Sequence, residues 1–119
     1  MEESILSSIK KVLGIADEIT DFDVDIVMHI NTVLGILTQL GVGPAEGFSI
    51  TDKSSKWSDF ISNAKNLETV KSYVGLKVRL LFDPPTSSAV TDSINRLVSE
   101  LEWRINITVD PGDDGEEGT

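Results

Sequence analysis

Side chains that commonly carry out catalysis are few in this sequence. His29 is the only histidine, and helical spacing places it on the flank of a helix beside Val33 and Leu40. That position is typical of a histidine at the boundary of a core. No serine stands in a recognisable nucleophile motif with it, and cysteine is absent. We therefore expect no enzyme activity and no catalytic residue.

Two short motifs have part of the pattern of a ligand site. Residues 21–25 read D-x-D-x-D, the opening of a calcium loop, but such a loop needs glycine at Ile26 and an acid at Thr32. We therefore interpret these acids as helix-capping residues. The Gly-x-Gly at 41–43 lacks the third glycine and the lysine of phosphate-binding loops. The sequence predicts no metal and no cofactor.

The charge is strongly acidic and unevenly placed. The 119 residues carry a net charge of −10, and the last ten residues contain five acids and no base. We expect one helical domain over 1–109 and a disordered acidic tail over 110–119. The negative charge opposes binding to free nucleic acid or anionic membranes. No apolar run approaches the roughly 20 residues that span a bilayer, so no membrane partner is expected.

Apolar residues recur at helical spacing through most of the chain. The pattern predicts an all-α fold, a small bundle of about four helices with a long central loop and an extended C-terminal segment. Two prolines stop the third helix after Phe82. The predicted helices cover 2–13, 21 or 23 to about 40, 66–82, and a last one from Ser87 or Ser88, with a single turn at 57–61 inside the loop 41–65.

The spacing of apolar residues changes at the end of the domain. Ile105–Val109 alternates apolar and polar residues, which favours a strand over more helix. Such a strand either pairs with another chain or packs on its own core, and the pattern leaves both open. Gly35 and Gly75 lie inside predicted helices, where they either mark a close crossing of the second and third helices or are merely tolerated.

Several side chains fit a lone domain poorly. If the last helix continues that far, Trp103 lies opposite Leu101 and close to Arg96, on a polar face. An exposed tryptophan there calls for a partner, unless the central loop covers it with Trp57 and Phe60.

The third predicted helix is the only locally basic element. Its charged side chains either meet an acidic neighbour or form a solvated face. The candidate subunit or partner interface comprises Trp57, Phe60, Lys71, Lys77, Arg79, Asp83, Arg96, Trp103, Ile105, Ile107 and Val109.

Several motifs together resemble one family, the small head–tail connector (adaptor) proteins of long-tailed bacteriophages. The resemblance covers roughly residues 5–104. Its most specific parts are Phe82-Asp83-Pro84-Pro85 and the Glu-x-x-x-Arg formed by Glu100 and Arg104 at the end of the region. It rests on Gly41-Val42-Gly43-Pro44, Gly47-Phe48, Trp57-Ser58-Asp59-Phe60, the run from Tyr73 to Pro85 followed by Ser87-Ser88, and Glu100-Leu101-Glu102-Trp103-Arg104.

The resemblance implies a structural protein that forms a ring beneath the portal, extends the DNA channel and joins the head to the neck or tail. It implies a twelve-fold ring, the portal and a downstream neck or tail protein as partners, and passage of duplex DNA without tight binding. The protein would be assembled in the host cytoplasm and lie at the head–tail junction of the virion. An acidic wall is suited to DNA passage, because it offers no counterion-release gain.

Two other functions are consistent with parts of the sequence. An acidic DNA mimic would bind a nucleic-acid-binding protein in a salt-sensitive way, whereas a connector would form concentration-dependent rings. A small helical enzyme or metal-binding domain would hold a stoichiometric metal or turn over a substrate. The single histidine and the absence of cysteine argue against that second alternative.

Overall fold

The helices lie close to their predicted positions. A computed structural model describes residues 4–61 and 64–109, with the backbone alone at 64–66 and 107–109. No strand occurs in this part of the chain, so the all-α class is confirmed. The helices are α1 (Ile5–Leu13), α2 (Asp23–Gln39), α3 (Trp57–Phe60), α4 (Ala64–Phe82) and α5 (Ser88–Val109).

Local signals set the helix ends. Ser4 caps α1, its Oγ accepting a hydrogen bond from the Ser7 backbone N–H at 3.3 Å. Gly14 ends α1 in the left-handed conformation, with φ of 78°, which glycine adopts without steric cost. The Ser87 Oγ accepts a hydrogen bond from the Val90 N–H at 3.3 Å and so caps α5.

The helices are arranged around α4, which packs against α1, α2 and α5. Tyr73, Val74 and Val78 of α4 are fully buried. The apolar residues on the inner face of α2, from Ile26 to Leu37, are also fully buried. In contrast, α5 has no buried residue between Ser88 and Leu97, and its buried residues begin at Val98. The second half of α5 therefore anchors this helix to α4.

The long segment between α2 and α4 contributes to the core. Val42, Ile50, Trp57 and Phe60 from this segment are all buried. The Asn31 side chain of α2 holds Ile50 by two hydrogen bonds, donating from Nδ2 to the carbonyl at 2.9 Å and accepting from the N–H at 2.7 Å. The segment therefore acts as a wall of the bundle.

The predicted strand at Ile105–Val109 is wrong, because α5 continues through Val109. Ile105 is only 2% exposed. Val98, Leu101 and Ile105 follow one another at spacings of three and four residues, which puts all three on one helical face. Burial of this face against the bundle outweighs the local alternation, and no helix breaker occurs before Pro111.

The predicted crossing of α2 and α4 at two glycines is also wrong. Gly35 lies on the exposed side of α2, and a Cβ built there meets no described atom within 4 Å. Gly75 is buried, but its neighbour is Val12 of α1, whose methyl carbons lie 3.4 Å from a Cβ built on Gly75. The two glycines therefore lie in different environments and do not mark a common helix crossing.

Gly43 and Gly47 provide a matched pair for testing the packing of the loop. Both have positive φ, 80° and 97°, but a Cβ on Gly43 would lie within 2.9 Å of Phe60 Cδ1, whereas a Cβ on Gly47 meets open space. We expect Gly43→Ala to lower the free energy of unfolding by about 2–3 kcal/mol and Gly47→Ala by about 1 kcal/mol. Urea denaturation of both variants measures the difference, and equal losses would contradict the steric argument.

Candidate functional site

The structure divides the predicted interface residues into buried and exposed groups. Trp57 and Phe60 are 3% exposed and Ile105 is 2% exposed. The Trp57 indole N–H donates to Ser8 Oγ at 2.9 Å, and the Phe60 ring lies 5.3 Å from that of Phe48. These three side chains belong to the core of the chain itself, so assigning them to an interface surface is wrong. The side chains of Ile107 and Val109 lie outside the described residues, as does the acidic tail.

Trp103 is the most exposed aromatic side chain among the described residues, at 64%. Its predicted position on the outer face of the last helix is confirmed. The alternative that the central loop covers Trp103 is wrong for the described part of the chain, since Trp57 and Phe60 of that loop face the core. A role of Trp103 in binding a partner stays a prediction.

The end of α5 that carries Trp103 is held to α4 by a buried tyrosine. The Tyr73 hydroxyl donates to Glu102 Oε2 at 2.7 Å. Burial raises the pKa of Tyr73, and the hydrogen bond to Glu102 and its negative charge raise this pKa further. Glu100 and Arg104 form an ion pair one turn apart on the same helix. The hydrogen bond from Tyr73 thus holds the part of α5 next to Trp103 against α4.

The basic residues of α4 are less uniform than the sequence suggested. Arg79 is exposed, whereas Lys71 and Lys77 are partly buried. Lys71 Nζ lies 3.9 Å from Glu68 Oε2. Gly75, which lies one turn from both Lys71 and Arg79, is buried. Among the described side chains of this helix, Arg79 is therefore the exposed positive charge.

The Phe-Asp-Pro-Pro element forms the turn between α4 and α5. Phe82 packs edge-on against Phe22 and His29, with ring centroids 5.9 Å and 6.2 Å apart. His29 is half-buried, as expected of a histidine at a core boundary. Asp83 is exposed, and its N–H donates to the Arg79 carbonyl at 2.9 Å. This corner thereby ties the end of α4 to the start of α2.

Sequence reasoning missed a buried charge at Lys10. Lys10 is 1% exposed. Its ammonium lies 2.9 Å from Asp23 Oδ1 and donates to the carbonyls of Asp17 at 3.0 Å and Ile19 at 2.7 Å. The signal that could have shown it is the position of Lys10 on the apolar face, four residues after Leu6.

A cleft of about 480 Å³ opens beside this buried charge. It lies between the end of α1, the start of α2 and the loop at 50–53. Asp52 stands at its edge, where hydrogen bonds from the Ser54 hydroxyl and backbone N–H hold the pKa of Asp52 below its usual range. The lining residues are Leu6, Lys10, Asp17, Thr20, Asp23, Val24, Val27, Ile50, Thr51, Asp52 and Lys53.

The interpretation of the D-x-D-x-D acids as helix-capping residues is wrong, because the N-cap of α2 is Phe22 and no side-chain hydrogen bond caps this helix. Asp23 and Asp25 lie in the first turn of α2, where negative charge is favourable, and Asp23 faces Lys10. Across residues 4–61 and 64–109, no cluster of three or more histidine or acidic side chains is placed to hold a metal ion.

A family model described as "Phage connector protein" matches residues 5–112. The match covers most of the chain and includes both the buried framework and Trp103. The chain therefore belongs to the phage connector protein family. No curated protein and no solved structure matches the chain.

Membership of this family places the chain among structural connectors of phages, a family that is not one of enzymes. Its partners in general are components of the phage virion. Among the described helices, none combines the length and the apolar character needed to cross a membrane.

We expect Lys10→Met to lower the free energy of unfolding by about 3 kcal/mol, because it leaves the Asp23 carboxylate without its ion pair and the Asp17 and Ile19 carbonyls without this donor. Lys11→Met, at an exposed position on the same helix, should change it by about 1 kcal/mol or less, because interactions of exposed charges contribute little. Thermal and urea unfolding of the two variants provide the comparison. Equal effects would show that the Lys10 ion pair contributes nothing specific.

The raised pKa of Tyr73 predicts that the protein loses stability at alkaline pH. This pKa is raised on folding, so the contribution of Tyr73 is fully present below the unfolded pKa of about 10 and is lost as pH rises toward the folded pKa. The loss should approach about 1.4 kcal/mol per pH unit above that point. The difference in free energy of unfolding between wild type and Tyr73→Phe, measured from about pH 8 to 11, reports the titration of Tyr73. The titration of the lysines is common to both proteins and cancels in this difference. Parallel curves would refute it.

Proposed function

We propose that this chain is a head–tail connector that forms a ring beneath the portal, extends the DNA channel and joins the head to the neck or tail. The proposed ring has twelve subunits, and its partners are the portal protein and the next neck or tail protein. The observation that carries the proposal is the family match over residues 5–112.

The shape and surface of the chain are consistent with a ring subunit. A cyclic ring is built from two different patches that meet on neighbouring copies. The outer face of α5 presents Trp103 and Arg96, whereas Arg79 and Asp83 lie at the corner between α4 and α5. We propose these exposed residues, with the partly buried Lys71 and Lys77, as contacts with a subunit or the portal.

The charge supports passage of DNA without tight binding. The chain carries a net charge of −10, so a ring of copies repels the phosphate backbone and releases no counterions from it. We propose that the channel wall has negligible affinity for duplex DNA at about 0.15 M salt. The acidic DNA-mimic alternative has no comparable support from a family match.

Electron microscopy of the full chain tests the ring directly. The protein is imaged alone and after mixing with the portal protein encoded in the same phage genome. We expect rings, alone or on the portal, with the symmetry of the portal. A chain that stays monomeric in both samples would overturn the proposal, as would tight salt-sensitive binding to a basic DNA-binding protein.

Trp103→Ala should weaken ring formation or portal binding by about tenfold or more, because exposed tryptophans that become buried at interfaces are frequent hot spots. Met28→Ala is the matched control, since Met28 is also exposed, at 56%, but lies on α2 away from the proposed contact residues. Sedimentation velocity and portal pull-down measure both variants. Unchanged assembly of Trp103→Ala would remove this residue from the interface.

A further inference from the structure

The cleft beside Lys10 and the exposed Trp103 have complementary properties. We infer that the cleft between α1, α2 and residues 50–53 receives Trp103 of a neighbouring copy of the chain, with Arg96 of that neighbour facing its acidic rim. This inference rests on the proposed ring and names the contact that joins its subunits.

The cleft has the size and polarity of a receptor for an aromatic side chain. Its volume of about 480 Å³ exceeds that of one indole ring, and its lining includes the apolar side chains of Leu6, Val24 and Ile50. Val24 is 80% exposed at the mouth. Apolar clefts with a few polar groups at the edge are typical binding sites. Trp103 would bury roughly 150–250 Å² in such a site.

The rim of the cleft is acidic. Lys10 is paired with Asp23. The other charged lining residues are the acids Asp17 and Asp52 and the base Lys53, so acids outnumber bases among them. Asp17 and Asp52 are both exposed. An occupant of this cleft should therefore carry positive charge next to an apolar anchor.

The outer face of α5 has that combination. Trp103 and Arg96 are both exposed, and they lie seven residues apart, which places them on one side of the helix two turns from each other. Because the second half of α5 is anchored on α4 through Val98 and Leu101, the tryptophan is presented from a rigid support. Little conformational entropy is lost when it docks.

A second copy fits the cleft better than a segment of the same chain. Trp103 is 64% exposed in its own subunit, so it does not fill its own cleft. The tail at 110–119 carries five acids, and the acidic rim would repel it. Since α5 packs on α4 while the cleft lies between α1 and α2, the contact joins two different patches. Such heterologous contacts close into rings when the rotation allows it.

Substitution at the mouth of the cleft tests the contact without disturbing the core. Val24→Arg blocks the cleft and repels Arg96, whereas Met28→Arg, at a 56% exposed site one turn along α2 and outside the lining, is the matched control. We expect Val24→Arg to weaken self-association, alone or on the portal, by about tenfold or more, and Met28→Arg by about twofold or less. Melting temperatures of both variants confirm that the fold is kept.

Tryptophan fluorescence gives a second measurement. Trp57 is already buried and Trp103 is exposed, so a blue shift that accompanies assembly reports burial of Trp103. We expect this shift in wild type and in Met28→Arg, and its loss in Val24→Arg. Assembly without a shift would show that Trp103 stays in water and would overturn the inference.

Cross-linking identifies the two patches directly, because the chain has no cysteine of its own. Ser99→Cys lies one turn before Trp103 and Thr51→Cys lines the cleft. Mixed single variants should give a disulfide-linked dimer under mild oxidation. Ser99→Cys mixed with Ser72→Cys, on the exposed side of α4, should not. A strong dimer of Ser99→Cys alone would indicate a two-fold contact and overturn the inference.

The outcomes separate this inference from the proposed ring. If rings form without the Ser99–Thr51 cross-link and Val24→Arg assembles normally, the proposed ring stands and the proposed cleft contact is rejected. The cross-link in open-ended filaments supports the cleft and rejects the closed ring. A chain that never self-associates, with or without the portal, rejects both.

Discussion

The buried ammonium group of Lys10 is the interaction on which the first half of the fold depends. It joins the last turn of α1 to Asp23 in the first turn of α2, and it also binds two carbonyls in the turn between them. A lysine this deeply buried is stable only when its charge and all its donors are paired. The ion pair therefore sets the path of the chain from α1 into α2 and, with it, the position of the cleft.

Much of the fold could be predicted from the sequence because helix signals are local. The C-cap at Gly14, the stop after Phe82 and the serine cap before α5 each depend on a few neighbouring residues, and the structure has all three. The end of α5 was predicted wrongly for the opposite reason. Whether Ile105 continues a helix or begins a strand depends on the bundle that buries it, and that information is not local.

The candidate surface was harder to predict than the fold. Exposure of Trp103 followed from helical angles, because Leu101 and Val98 fix the inner face of the same helix. Trp57 and Phe60 could not be assigned in this way, since they lie on one short turn inside a long irregular segment. Their burial depends on contacts with α1, such as the hydrogen bond from Trp57 to Ser8, between residues 49 positions apart. The same long-range dependence hid the ion pair of Lys10.

The first half of α5 gives the molecule one region of low local stability. Because no residue from Ser88 to Leu97 is buried, opening this half exposes little apolar surface beyond what water already reaches. Its backbone amides should exchange hydrogen through small local openings, while those around Val98 and Leu101 exchange only with global unfolding. The connector thus has a segment that can adapt its shape to a neighbour without loosening the bundle.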